Sequence, residues 1–173
     1  ARGGNRRDIA ILYRSNAQSR VFEEAFLSAR IPYKVYGGLR FFERAEIKDA
    51  LAYLRLVSNR NDDTSFERVV NLPTRGIGAK SIDTLRERAR ADGSSLWSAA
   101  QRCIAEGSLG AKGAGSLHGF LQLIDRLAAD TRELALHEIV DQVINSSGLL
   151  EHHRKEKAER GEARADNLLE LVS

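Results

Sequence analysis

The sequence contains no methionine, one cysteine, two prolines and one tryptophan among its 173 residues. Because Cys103 has no partner in the chain, an internal disulfide is excluded, and this usage is typical of a reducing cytosol. The single cysteine and four histidines show no spacing typical of zinc ligands. We expect the adjacent His152 and His153 to be solvated. No apolar run approaches the roughly 18 residues of a membrane span, and no secretion leader opens the chain, so we expect a cytoplasmic protein.

The sequence also lacks an initial methionine and a helix cap at its C-terminal end. The chain begins with Ala1 and has no methionine, and its last residues, 167–173, form an apolar helical pattern without a capping residue. We interpret the sequence as a piece of a longer protein, so its function is a share of the function of that protein.

Signatures of catalysis are missing. The sequence has no Gly-x-Ser-x-Gly elbow and no His-Glu-x-x-His pair. Residues 76–81 (GIGAKS) look similar to a Walker phosphate loop, but that loop requires glycine directly before its lysine and a preceding strand. Here Ala79 precedes Lys80, and the segment before the turn is helical and ends at Pro73. Nucleotide hydrolysis by this chain alone is therefore not expected.

The charge that is present is unevenly distributed. Hydrophobic residues make up 42% and charged residues 29% of the chain, which is typical of a folded domain. Residues 1–91 carry 18 Lys+Arg against 11 Asp+Glu, whereas residues 92–173 carry 9 against 13. This asymmetry favours a polyanionic partner for the first half, although charge runs are commonly solvated faces.

The first 36 residues predict a βαβ unit. Residues 8–13 form a short apolar run, residues 21–29 have apolar side chains at helical spacing, and residues 33–36 form a second short run after Pro32. A strand, a helix and a strand over this length imply a parallel sheet. Arg14 and Asn16 follow the first strand, where polar residues often face a ligand. The alternative is that they only cap the helix.

The remainder of the chain predicts a mainly α fold. Gly37 and Gly38 mark a hinge, and helices are expected at about 45–57, 64–71, 79–91, 95–104, 117–127 and 136–144, with a last one from about 163. Asp62 or Asp63 is placed to cap the second of these helices. We expect residues 107–115 to form a flexible small-residue loop and the charge run 151–162 to be a solvated helix or loop.

A turn with two glycines joins the helices expected at 64–71 and 79–91. Backbone amides at Gly76, Gly78 and Ala79 could donate to a phosphate at the positive end of the second helix. Thr74 and Ser81 offer hydroxyl groups, and Arg75 and Lys80 offer charge. Two interpretations stay open for this stretch alone: a helix-hairpin-helix-like grip on a nucleic-acid backbone, or a plain helix–helix connection.

A basic stripe is predicted on the exposed side of the helix at 45–57. Arg44, Lys48 and Arg55 are spaced so that they share one face. Together with the glycine turn, this stripe could follow a duplex backbone, and such contacts position a protein without reading sequence.

Several motifs, taken in order, resemble the UvrD/Rep/PcrA-type superfamily 1 DNA helicases. They are residues 9–20 (IAILYRSNAQSR), 31–33 (IPY), 36–38 (YGG), 41–42 (FF), 46–49 (EIKD) and 74–78 (TRGIG). The resemblance implies a parent that is a bacterial, ATP-dependent 3′-to-5′ DNA translocase and helicase of repair and replication. It also implies that residues 1–37 are a slice of the second RecA-like (2A) domain and that residues 38–173 are most of the helical 2B subdomain, C-terminally truncated.

The resemblance also assigns roles to residues. Arg14 and Asn16 match positions near single-stranded DNA, and Lys48, Arg55 and the turn residues Thr74, Arg75, Gly76, Ile77 and Gly78 match duplex contacts. The ATP and Mg²⁺ sites of such a parent lie outside this sequence, so the piece should neither hydrolyse ATP nor unwind DNA.

Two alternatives remain for function. One is a protein-interaction module that docks the parent's other domains or a repair partner, because the last helical pattern leaves an apolar side without a mate. The other is an independent helix-hairpin-helix protein of a nuclease or ligase type. The βαβ lead and the lack of metal-binding carboxylate motifs argue against the second alternative.

Overall fold

The computed structural model describes residue 5 and residues 9–36, 39–156 and 159–172. These residues are mainly helical, as predicted, and contain nine α-helices. The helices are α1 (Ser19–Ser28), α2 (Ala45–Ser58), α3 (Asp63–Val69), α4 (Ala79–Asp92), α5 (Leu96–Ala105), α6 (Ala111–Asp130), α7 (Leu136–Ser146), α8 (Leu149–Arg154) and α9 (Glu159–Val172). None of the helices in the described ranges is long and apolar enough to cross a bilayer.

The predicted βαβ unit is not confirmed. Its helix forms as α1, but residues 9–13 and 31–35 run without regular secondary structure. The apolar side chains that were expected in a buried strand are exposed, with Leu12 at 94% and Ile9 at 67%. The physical reason is that two short strands do not form a stable sheet without further strands beside them.

Helix α2 lies at the centre of the helical body and packs against α3, α6, α7 and α9. Its inner face recurs at helical spacing and includes Ile47, Ala50, Tyr53 and Leu56, all fully buried. Burying side chains of this size contributes about 1.5–3 kcal/mol each. The other large, fully buried side chains of the core are Phe41, Phe66, Leu85, Leu117, Phe120, Ile124, Leu127, Ile144 and Leu149.

The helix boundaries confirm one predicted cap and correct one predicted loop. Asp62 caps α3 and accepts the Ser65 N–H at 3.0 Å. Residues 107–115 are not all loop, because α6 begins at Ala111. The charge run 151–162 includes the end of α8 and the start of α9, and most of its described side chains are exposed, as predicted for a solvated helix. His153 was expected to be solvated but is only 3% exposed. Together with Leu149 and Leu150 it forms the buried side of α8.

Candidate nucleic-acid interface

The glycine turn runs from the end of α3 at Val69 to the start of α4 at Ala79. Its shape is set from inside by Asn71, whose side-chain oxygen accepts the N–H of Arg75 at 2.8 Å and the N–H of Ile77 at 3.2 Å. Ile77 inserts into the core at 2% exposure. Gly76 has a φ of +78°, a left-handed conformation that a residue with a Cβ adopts only with strain.

The outer edge of the turn remains open to solvent. Gly76, Gly78, Ala79 and Lys80 are exposed. Gly78 is the N-cap of α4 and has no side chain to satisfy the first N–H groups of the helix. Unsatisfied amides and the positive end of the helix dipole therefore face outward together, which is the arrangement that binds phosphate oxygens. Of the predicted hydroxyl donors, Thr74 is exposed and Ser81 is half-buried.

Arg75 does not lie at this open edge, which corrects its predicted role as a phosphate charge. Its guanidinium donates to the Tyr53 hydroxyl at 2.7 Å, to the Ser147 carbonyl at 2.9 Å and to the Pro73 carbonyl at 3.0 Å. It also lies over the rings of Tyr53 and Phe120. Burial raises the pKa of Tyr53 to about 12, although Arg75 acts in the opposite direction. The guanidinium of Arg75 thus forms its hydrogen bonds with groups of the chain itself.

The start of α6 lies beside the turn, which sequence reasoning missed. A Cβ placed on Gly76 would lie 3.7 Å from the Ser116 hydroxyl oxygen and 3.8 Å from Cε of Lys112, and one on Gly113 would lie 3.1 Å from the Ser81 hydroxyl oxygen. The two helices therefore begin side by side. A signal was present in the sequence, because Gly-Ala-Lys occurs at 78–80 and again at 110–112.

The two helix starts are electrostatically alike. Gly110 caps α6 without a side-chain bond, as Gly78 caps α4, and neither first turn contains an acidic residue. Lys80 and Lys112 are both exposed, and within the described ranges neither has a carboxylate at ion-pair distance. We call the surface formed by Gly76, Gly78, Lys80, Lys112 and Ser116 the lysine face.

Most other cations near α4 are neutralised by carboxylates. Arg86 pairs with Glu67 at 2.6 Å and with Asp83 at 3.0 Å, and Arg88 pairs with Asp92 at 2.7 Å. These bonds hold the pKa of the Glu67 carboxyl below its ordinary value, with the Arg86 hydrogen bond as the largest cause. Arg86 and Arg88 therefore do not supply free positive charge to this surface.

The predicted basic stripe on α2 is only partly formed. Lys48 and Arg55 are exposed, as predicted. Arg44 is 8% exposed and is not part of an exposed stripe. Its guanidinium donates to the Ser19 hydroxyl and to the Asn167 side-chain oxygen, both at 2.8 Å, and lies 5.2 Å from the centre of the Phe41 ring. Contacts from α1 and α9 draw it inward, which helix spacing alone cannot reveal.

The remaining predicted residues lie in the N-terminal segment. Arg14 is exposed, and its backbone N–H donates to the side chain of Gln18 at 3.1 Å. The side chain of Asn16 and the predicted hinge residues Gly37 and Gly38 lie outside what the structure describes.

A cluster of His152, His153 and Glu156 brings three ligand-type side chains within 4.8 Å of one another. Glu156 is already engaged, because it accepts from Arg164 at 2.9 and 3.0 Å and contacts Nδ1 of His153 at 2.7 Å. The arrangement is a hydrogen-bonded ion-pair network that joins the end of α8 to Arg164 of α9.

Comparison with known proteins now identifies the class. The family model of the UvrD-like helicase C-terminal domain matches residues 1–103, and the chain belongs to that family. The resemblance found in the motifs is thereby confirmed.

The similarity to individual helicases extends over the whole chain. It is 53% identical to DNA helicase II of Escherichia coli (strain K12) over 171 residues, which cover 99% of this chain and 24% of that relative. It is 43% identical to the ATP-dependent DNA helicase PcrA of Bacillus subtilis (strain 168) over 166 residues, which cover 96% of this chain and 22% of that relative. The chain thus spans about a quarter of the length of the curated relatives it matches.

Proposed function

We propose that this chain is the duplex-contacting and regulatory portion of a bacterial, cytoplasmic, ATP-dependent 3′-to-5′ DNA helicase. The single observation that carries the proposal is the pairing of two helix starts without a side-chain cap beside the exposed edge of the glycine turn, each with an exposed lysine that forms no ion pair in the described residues. Family membership supports DNA as the polyanion, because the relatives are named DNA helicases.

In this proposal residues 1–37 belong to the second RecA-like domain and residues 38–173 to the 2B subdomain. The chain contains no Gly-Lys-Ser/Thr phosphate loop, so we assign ATP and Mg²⁺ to the rest of the whole protein. The lysine face holds the phosphate backbone of a duplex near its junction with a single strand. Lys48, Arg55 and Thr74 extend this contact, and Arg14 and Asn16 lie toward the single strand.

Removing both free lysines tests the proposal. Lys80→Ala with Lys112→Ala should weaken binding to a duplex with a single-stranded tail and lower the salt slope of log K by about two units, because each neutralised phosphate contributes about 0.9. Fluorescence anisotropy at several salt concentrations measures both quantities. The matched control is Arg126→Ala with Arg132→Ala, which removes the same charge from exposed positions elsewhere. Equal affinity and slope in the lysine variant and the wild type would refute the proposal.

A second candidate, docking of the parent's other domains, has its own supporting observation. Large apolar side chains that are more than half exposed concentrate in the N-terminal segment: Ile9, Leu12, Val21, Leu27, Tyr36 and Leu39. Apolar surface collected in one segment is typical of a contact surface. We propose that residues 9–36 pack against the rest of the second RecA-like domain, while the lysine face binds DNA.

A further inference from the structure

An open cavity of about 280 Å³ lies where the N-terminal segment, the start of α2 and α9 meet. Three arginines line it, namely Arg44, Arg160 and Arg164, against one carboxylate, Glu46. Tyr13 and Asn167 add polar groups to the wall. The cavity shares no residue with the lysine face, so its chemistry is a separate question from duplex binding.

Arg44 is a buried cation whose direct hydrogen-bond partners are neutral. Its two side-chain bonds go to the Ser19 hydroxyl and to the Asn167 amide oxygen. Burial lowers the pKa of Arg44, and the charges of Glu23 and Glu46 oppose this from a distance. A guanidinium nevertheless stays protonated in proteins, and a buried charge is costly without a direct counter-charge. The wall of the cavity is therefore short of an anion.

The two nearby carboxylates are committed to other groups. Glu46 accepts the Asn167 side-chain N–H at 2.7 Å and lies 3.9 Å from Nε of Arg164. Glu23 accepts the Phe41 backbone N–H at 3.1 Å and the Tyr33 hydroxyl at 3.2 Å. Turning either carboxylate toward Arg44 would leave a donor unpaired, and an unpaired buried donor is unfavourable.

Helix α9 supplies the other two cations from one face, because Arg160 and Arg164 are four residues apart. Arg164 uses Nη1 to hold Glu156. Arg160 is exposed, and in the part of the chain that the structure describes it has no ion pair. Within the described residues, the guanidinium of Arg160 is thus unpaired, that of Arg164 is partly engaged, and that of Arg44 is buried.

We propose that this cavity binds a phosphate group. Forked guanidinium donors match the oxygens of phosphate, and converging arginines favour its higher charge over that of a carboxylate. The volume suits one phosphate or a small phosphomonoester, since pockets for drug-sized ligands begin near 300 Å³. The bound group joins the N-terminal segment to α2 and α9, so its occupancy stabilises their arrangement.

Titration of the 173-residue chain with inorganic phosphate tests the site, with sodium chloride holding the ionic strength constant. Saturable chemical-shift changes at the backbone amides of Arg44 and Asn167, together with a rise in melting temperature, are expected because the ligand binds only the folded state. Arg160→Gln should weaken binding about tenfold or more, since it removes the free fork without breaking an ion pair. Arg126→Gln, at an exposed position on α6, is the matched control and should bind as the wild type does.

Two further ligands, thymidine monophosphate and a thymidine oligonucleotide, distinguish the possible sources of the phosphate group. Equal affinities for inorganic phosphate and the monophosphate would assign the site to a free phosphate group. If the oligonucleotide binds more tightly than both, and Arg160→Gln abolishes this gain in affinity, the site belongs to a nucleic-acid strand. No saturable shift at phosphate on the order of 10 mM, or equal binding by Arg160→Gln and Arg126→Gln, overturns the proposal. The variant without Lys80 and Lys112 should retain phosphate binding here, so failure of this site and failure of duplex binding are distinguishable.

Discussion

The guanidinium of Arg75 lies inside the glycine turn, against Tyr53 and the Ser147 carbonyl. From the sequence, an arginine directly before Gly76 is expected to face phosphate. In the fold, α2 presents a hydroxyl and the end of α7 presents a carbonyl, and the side chain reaches both. Arg75 therefore fixes the shape of the turn, and the exposed lysines carry its free charge.

Substituting Arg75 separates these roles. Arg75→Ala should lower the free energy of unfolding by about 2–3 kcal/mol, because it leaves the buried Tyr53 hydroxyl and Ser147 carbonyl without their charged partner. Arg75→Lys should also destabilise the chain, since an ammonium cannot reproduce the fork. Urea unfolding measures the loss. If Arg75→Ala has normal stability but its salt slope for DNA binding is reduced by about one unit, Arg75 contacts DNA and does not stabilise the turn.

At the start of α6, a glycine predicted to lie in a flexible loop instead allows two helices to pack closely. Gly113 lies where a Cβ would press on the Ser81 hydroxyl, so it allows α6 to begin against α4. The sequence pattern suggested a flexible loop there, because glycine lowers helix propensity. Packing between the two helix starts outweighs that local preference.

Two glycine substitutions within helices should have opposite effects. Gly161→Ala should destabilise the chain by about 2 kcal/mol, because its Cβ would lie 2.5 Å from the His153 carbonyl oxygen and 2.7 Å from that of Glu156. Gly119→Ala on α6 meets nothing within 4 Å and should stabilise the chain by about 0.5–1 kcal/mol. Chemical denaturation measures both. Effects of the same sign would mean that the close approach at the start of α9 is relieved at little cost.

At the scale of the whole molecule, the helical body and the N-terminal segment differ in how much of their apolar surface is buried. The helical body around α2 buries a continuous core, and the N-terminal segment leaves most of its apolar side chains in solvent. Buried polar contacts still attach α1 to the body, with Arg44 bonded to Ser19 and Glu23 bonded to the Phe41 N–H. This arrangement supports the proposal that residues 9–36 pack against further chain.

Amide hydrogen exchange tests the proposed docking of residues 9–36. Residues 9–36 should exchange faster in the 173-residue chain than in a whole parent helicase, because the strands predicted there gain hydrogen-bond partners only in the complete sheet. The buried residues of α6 serve as the internal control and should exchange alike in both proteins. Equal exchange of residues 9–36 in the two proteins would contradict docking of this segment.

The sequence predicted much of the fold because most of the information was local. Helical spacing located α2, α4, α5 and α7 to within about two residues, and Asp62 marked the start of α3. The two predicted strands were not confirmed, because strands depend on neighbours in a sheet. Of the candidate site, the exposed turn and Lys80 followed from the sequence, whereas Lys112 and Ser116 required knowing which helix packs beside the turn.

By itself the sequence determined the helical body, the glycine turn and membership of a helicase family, since periodicity, turn residues and ordered motifs are read along the chain. Only the tertiary structure decided which cations are available. Arg44 and Arg75 are drawn inward by partners distant in sequence, whereas Lys80 and Lys112 are exposed at neighbouring helix starts and form no ion pair in the part of the chain that the structure describes. The physical reason is that burial and ion pairing depend on contacts between elements, which no local pattern of residues contains.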